Sequence, residues 1–208
     1  MTPEARRVLL VRHAESEANA GRVFADVAAI PITDRGHRQA RALARHLDAA
    51  PELVVASPMV RAQQTAAPLL ARFPGVRCES WPVEEFVYRP PAASEEDFAA
   101  YWTDADPRAR TGPQTESFAD LLERVHATAD RLARETARTI VLVSHRKFLA
   151  ALVFVLIAGR GRPGRRRMQR YRSFDQGLRW PNAALMPTWW EGDRVFVGPF
   201  QRFDRDAE

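Results

Sequence analysis

Two histidines and two arginines stand just past the ends of short apolar runs. Arg12-His13 follows the run 8–11, and His145 follows the run TIVLVS at 139–144. Arg61 lies one helical turn beyond Ser57-Pro58, which closes the run 53–56. If the three runs are parallel strands of one sheet, these four side chains converge at its carboxyl rim, where open α/β sheets bind ligands. Such a site suits an anion, because guanidinium forks match phosphate oxygens in a bidentate way. Phosphoryl transfer asks mainly for positioning and charge neutralisation. A neutral imidazole can attack phosphorus and carry the group as phosphohistidine. A second imidazole can steady the developing oxyanion. The leaving oxygen then needs a proton from a carboxylic acid, and Glu84 and Glu85 are the candidates. His37, His46 and His126 fall within helical patterns and are read as having no role.

The elements that must hold these residues alternate. Residues 8–11, 53–56, 76–79 and 139–144 read as strands, the last being β-branched, apolar and short. Residues 34–50 form an amphipathic helix with Ala40, Leu43, Ala44 and Leu47 on one face and Thr33 or Asp34 as its cap. Helices are also expected over 59–72, over 116–137 with Thr115 as cap, and over 146–158, closed by Gly159. The tail offers strands near 183–186 and 194–197, with a turn at 191–193. This order predicts an α/β fold, a three-layer α/β/α arrangement on a mainly parallel sheet with antiparallel strands at an edge. The 208 residues are read as a single domain. Residues 81–113, with five prolines and several aromatic residues, form an irregular insertion expected over the site. Phe86, Tyr88, Arg89 and Trp102 are its candidate substrate contacts.

Composition excludes several classes. The single cysteine, Cys78, leaves no internal disulfide and no multi-cysteine zinc site. The five histidines show no metal-ligand spacing, so neither metal nor cofactor is expected. The longest apolar run, residues 148–158, is too short to cross a bilayer, which takes about 20 residues. With no signal-peptide core after Arg6-Arg7, a cytoplasmic protein is expected. The net charge of +5 comes from residues 159–172, which hold seven arginines and no acid. That segment is either an anion-attracting patch or a solvated loop; with no interleaved aromatic residue beyond Tyr171, nucleic acid is not expected as a partner. Its GRGRPG matches a dinucleotide-binding pattern only formally, since it follows a helix rather than a strand. Lys147 is the only lysine, and no Walker A sequence surrounds it.

Several of these segments resemble the histidine phosphatase (phosphoglycerate mutase-like) superfamily, branch 1. VRHAESEAN at 11–19 is similar to the signature that opens the family, and SPMVRAQQTA at 57–66 to its second. VSHRKF at 143–148 resembles the third, PITDRGHRQA at 31–40 the segment entering the first helix, and TESF at 115–118 the start of the long helix. The resemblance implies that His13 is the nucleophile and that Arg12, Asn19, Arg61 and His145 bind the phosphate. EEFVYRP at 84–90 looks like the family's Glu-Phe-x-Tyr segment, which favours Glu85 over Glu84 as proton donor. Two glycines of the family pattern are Ala14 and Arg146 here. Arg146 would either crowd the pocket or clamp the anion. The expected activity is hydrolysis of a small phosphate ester. A phosphoglycerate mutase-type transfer and a catalytically weakened phosphate-binding or regulatory relative are the alternatives.

Overall fold

The computed structural model describes residues 5–88, 94–192 and 194–203. Its elements, in chain order, are β1 (Arg6–Arg12), α1 (Asp34–His46), β2 (Leu53–Ala56), α2 (Val60–Arg72), β3 (Arg77–Ser80), α3 (Glu95–Asp104), α4 (Phe118–Arg134), β4 (Thr139–Ser144), α5 (Arg146–Ala158), α6 (Arg165–Leu178), β5 (Leu185–Glu191) and β6 (Arg194–Val197). They divide into two compact units. The first comprises residues 1–84, 135–146 and 180–208, and the second residues 85–134 and 147–179.

The first unit holds a six-stranded sheet in the order β3-β2-β4-β1-β5-β6. The first four strands run parallel, and β5 and β6 add antiparallel pairs at one edge. β1, β2 and β4 are buried on both faces, as near-continuous apolar runs in a parallel sheet must be. One face carries Leu9, Val11, Val54, Ala56, Val141 and Val143, packed with Ala42, Leu43 and Leu47 after and within α1 and with Ala62, Ala66 and Leu69 of α2. At about 25 cal/mol per Å² of apolar surface removed from water, such packing is the main force seating both helices. Thr33 caps α1 by accepting the Gly36 N–H. The helix stops at His46 rather than near residue 50, because Leu47 already leaves helical geometry, with ψ of 114°. The tail strand begins at Leu185 and runs on through Trp189-Trp190 to Glu191, two residues later and longer than its sequence indicates. Gly192 turns it with φ of 59°, while Asp193 of the expected turn lies outside the described residues.

The second unit contains two helices absent from the sequence reading. α3 lies inside the supposed irregular insertion, opened by a capping box between Ser94 and Asp97. α6 takes up most of the arginine-rich segment that reads as a loop. α4 starts at Phe118, where Ser117 and Asp120 bond reciprocally, and not after Thr115. Tyr171 of α6 is fully buried and meets Trp102, Phe118 and Phe154, one ring from each of the other three helices. Phe86, Tyr88, Tyr101 and Trp102 are buried against one another rather than held out toward a substrate. Arg89 lies outside the described residues. Of the seven arginines, Arg160 pairs with Asp130, Arg167 lies over Phe154, and Arg172 over Phe98 and Trp102. Arg165, Arg166 and Arg170 are exposed.

Candidate active site

Register decides what meets at the rim of the sheet. Arg12 pairs with Ser144 across β1 and β4, and Ala56 with Val143 across β2 and β4. The residues one step further along, His13, Ser57 and His145, therefore emerge side by side from three adjacent strands. The rings of His13 and His145 lie 5.1 Å apart, inclined at 53°. Nε2 of His145 and Oγ of Ser57 share a hydrogen bond of 2.9 Å. The His13 N–H donates to the Ser144 carbonyl at 2.8 Å, which ties the first rim residue to the third strand.

His13 is held in one tautomer. Its Nδ1 lies 2.7 Å from the Ala14 carbonyl oxygen. A carbonyl can only accept, so Nδ1 carries the proton and Nε2 keeps its lone pair. The imidazole is buried, and burial is the largest cause that drives its pKa well below the usual 6.5; the guanidiniums of Arg61 and then Arg12 lower it further. A neutral ring with a directed lone pair, beneath two permanent cations, has the electronic character of a nucleophile toward an anionic phosphoryl group.

The same burial makes a testable link to stability. The unfolded chain takes up this proton near pH 6.5, whereas the folded chain resists it. His13's contribution to stability is therefore fully present above pH 6.5 and is lost as pH falls through the depressed folded value. Urea unfolding of the wild type and His13→Gln, compared between about pH 5 and 8, should show their stability difference shifting against the wild type on the acid side. His126, also depressed by burial, is common to both proteins and cancels. A difference independent of pH would contradict the assignment.

The remaining candidates are fixed by second partners. Arg61, in the first turn of α2, is 5% exposed and donates through Nη1 to the Val27 carbonyl. One turn on, Thr65 accepts the Ala14 N–H and donates to the Arg61 carbonyl, so one hydroxyl locks the loop after His13 to α2. Arg12 donates through Nη1 to the Trp180 carbonyl. Asn19 is exposed, and its Oδ1 accepts from the Ser16 N–H and from Nδ2 of Asn182. Asn182, which the sequence did not single out, also donates to the carbonyls of His13 and Ala14. Its neighbour Ala183 adopts φ of 55°, a left-handed conformation that turns its own N–H back to His13. Gly36 has a packing reason: a Cβ there would stand 2.2 Å from the Glu15 carbonyl oxygen, so only glycine lets α1 approach the loop after His13.

The first unit thus gathers Arg12, His13, Asn19, Arg61 and His145. Arg146, half-buried, is the first residue of α5. Glu84 is half-buried at the end of the first unit's opening segment, and Glu85 begins the second unit. Oε1 of Glu85 accepts two backbone N–H groups, from Phe86 at 2.9 Å and from Lys147 at 3.0 Å. Among the described residues, no three His, Cys, Asp or Glu side chains gather as a metal-ligand set, and no helix is long and apolar enough to cross a membrane.

The family model of the histidine phosphatase superfamily (branch 1) matches residues 8–173. No curated protein sequence matches the chain. Among solved structures, it is similar to the alpha-ribazole phosphatase of Shigella flexneri, with 24% identity, a TM-score of 0.74, and coverage of 95% of this chain and 96% of that one. It is also similar to a phosphoserine phosphatase of Entamoeba histolytica, with 17% identity, a TM-score of 0.70, and coverage of 94% and 96%. A mycobacterial glucosyl-3-phosphoglycerate phosphatase follows, with 23% identity, a TM-score of 0.66, and coverage of 93% and 97%. These likenesses show a shared α/β fold, the phosphoglycerate mutase-like one.

Proposed function

The chain belongs to the histidine phosphatase superfamily, branch 1, and from that premise we propose that it hydrolyses small phosphate monoesters through a phosphohistidine on His13. The observation that carries this reading is the His13 ring itself. It is kept neutral, with its proton on Nδ1, and lies 5.1 Å from a second imidazole in the field of Arg61 and Arg12. Phosphatases among the similar structures act on dissimilar esters by their names, which supports the reaction class and leaves the ester open.

In the first step, Nε2 of His13 forms a bond to phosphorus while the bond to the ester oxygen breaks. Arg12, Arg61, Asn19 and His145 bind the phosphoryl oxygens, and the arginines offset the charge that grows on them. Glu85 gives its proton to the departing oxygen. In the second step, water attacks phosphorus, Glu85 takes a proton from it, the P–N bond breaks, and inorganic phosphate leaves. The assignment of Glu85 rests on the Glu-Phe-x-Tyr segment and on its fixed carboxylate. With both backbone donors on Oε1, that oxygen is the acceptor end and the proton is placed on Oε2. No step draws on a metal or an organic cofactor, and the substrate is taken as a small phosphorylated metabolite in the cytoplasm.

A mutase would share the nucleophile but would return the phosphoryl group to a bound acceptor. The two are separated by incubating the protein with p-nitrophenyl phosphate alone. Release of inorganic phosphate in step with p-nitrophenol, with no bisphosphoglycerate added, is the expected result. Turnover that appears only with a phosphoglycerate acceptor would make the protein a mutase. Phosphate binding without any turnover would make it a regulatory relative.

A further inference from the structure

The chain uses lysine once among 31 basic residues, at Lys147. That lysine sits two residues after His145, at the second position of α5. Its backbone and side chain hold four different groups of the second unit. The N–H donates to Oε1 of Glu85 at 3.0 Å. The carbonyl accepts from the Tyr171 hydroxyl at 3.0 Å. The ammonium lies 3.3 Å from Oδ2 of Asp175, a carboxylate 1% exposed on α6. It also stands 4.9 Å from the centre of the Tyr88 ring, within cation–π range. Tyr88 in turn packs on Phe86 at 4.9 Å. Residues 85–88 are therefore gripped at both ends by one residue: Glu85 through the Lys147 backbone and Tyr88 through its ammonium.

We propose that Lys147, anchored by Asp175, is a positioning residue that aims the carboxyl group of Glu85. The inference rests on the reading of Glu85 as the proton donor. A carboxyl group is a useful acid only if its O–H points at the leaving oxygen, and two N–H donors on Oε1 fix which oxygen carries the proton. One of those donors, the Phe86 N–H, moves with Glu85 itself. The other belongs to α5 and is the external reference. The ion pair with Asp175 and the Tyr171 bond set where the Lys147 backbone stands. A compact ammonium suits the space between a phenol ring and one carboxylate oxygen. An arginine there would place a broad planar fork, with a different reach and donor geometry, between the same two groups.

The test compares kcat/KM for p-nitrophenyl phosphate and phenyl phosphate, whose phenol departs less readily and so depends more on the acid. Misfolded protein lowers both values equally and leaves their ratio unchanged. The double variant Lys147→Met/Asp175→Asn removes both charges and avoids a lone buried ion; Asp175→Asn alone keeps the lysine and releases its anchor. Both should raise the p-nitrophenyl to phenyl ratio, by about tenfold in the double variant, as expected for a misplaced rather than missing group. Lys147→Arg should raise it too. Glu85→Gln is measured beside them and should raise the ratio most. If Glu85→Gln raises it while the Lys147 and Asp175 variants leave it at the wild-type value, the positioning role is wrong and the acid stands. If Glu85→Gln leaves the ratio unchanged, Glu85 is not the acid and the proposal falls with it.

Discussion

His13→Ala should abolish turnover of every phosphate ester and, with it, a trapped phosphoenzyme that is labile in acid and stable in base. The expected loss exceeds about 10⁴-fold in kcat, the scale on which nucleophile deletions act. No other group can replace it. His145 has its Nε2 engaged by the Ser57 hydroxyl at 2.9 Å. The substitution should spare the fold. The side chain makes one hydrogen bond, to the neighbouring carbonyl, while the backbone of residue 13 keeps its bonds to Ser144 and Ala183. Inorganic phosphate should still bind, because Arg12 and Arg61 remain. The measurement is quench of the labelled enzyme after mixing with substrate, for wild type and variant. Equal phosphoenzyme in the variant would remove His13 from the mechanism, whatever the overall rate.

The residues behind that expectation were readable because they are local. Arg12, His13 and His145 stand within two residues past apolar runs that can hardly be anything but buried strands, and Arg61 stands in the first turn after another. Knowing that the sheet is parallel was enough to bring them together. What could not be read depends on contacts made far along the chain. Asn182 reaches His13 and Asn19 only because β5 returns antiparallel beside β1, and nothing near residue 182 announces that pairing. Ser57 looks like a helix opener, yet its hydroxyl is the partner of His145, 88 residues away.

The two missed helices are a different case, since their signals were present. Phe98, Tyr101, Trp102 and Ala105 repeat at helical spacing behind the Ser94–Asp97 capping box. Five prolines in the surrounding 33 residues mask that repeat with signals for breaks. In α6 the stripe is Met168, Tyr171 and Asp175, all buried. Seven arginines in the segment conceal it, because a charge run reads as a solvated loop. An aspartate in an apolar stripe looks like an error in the pattern until Lys147 is found against it. The arginines themselves are not uniformly solvated. Arg172 covers Phe98 and Trp102 with its guanidinium plane, a role open to long cationic side chains on apolar surfaces.

Glu85→Gln carries the second large expected effect. The amide oxygen can still accept the Phe86 and Lys147 N–H groups in place of Oε1, so the segment should stay in place. What should disappear, under the proposed role of Glu85, is the proton for the leaving oxygen and the base that later activates water. General acid catalysis contributes about 10²- to 10⁴-fold, and its loss should appear in full in kcat/KM for alkyl or phenyl phosphates, which report the first step. For p-nitrophenyl phosphate the leaving oxygen needs little help, so the first step should slow by less than about tenfold, by the Brønsted relation between acid catalysis and leaving-group basicity. The second step is common to all substrates and lacks its base in the variant. Phosphohistidine should therefore accumulate, and rapid mixing with p-nitrophenyl phosphate should show a burst of p-nitrophenol equal to the enzyme concentration. Glu84→Gln is the internal comparison, because the two acids adjoin in sequence. It should leave both the burst and the leaving-group dependence at their wild-type values. If the burst and the leaving-group dependence follow Glu84 instead, the acid is one residue earlier, and the two hydrogen bonds on Glu85 serve only to hold the start of α5.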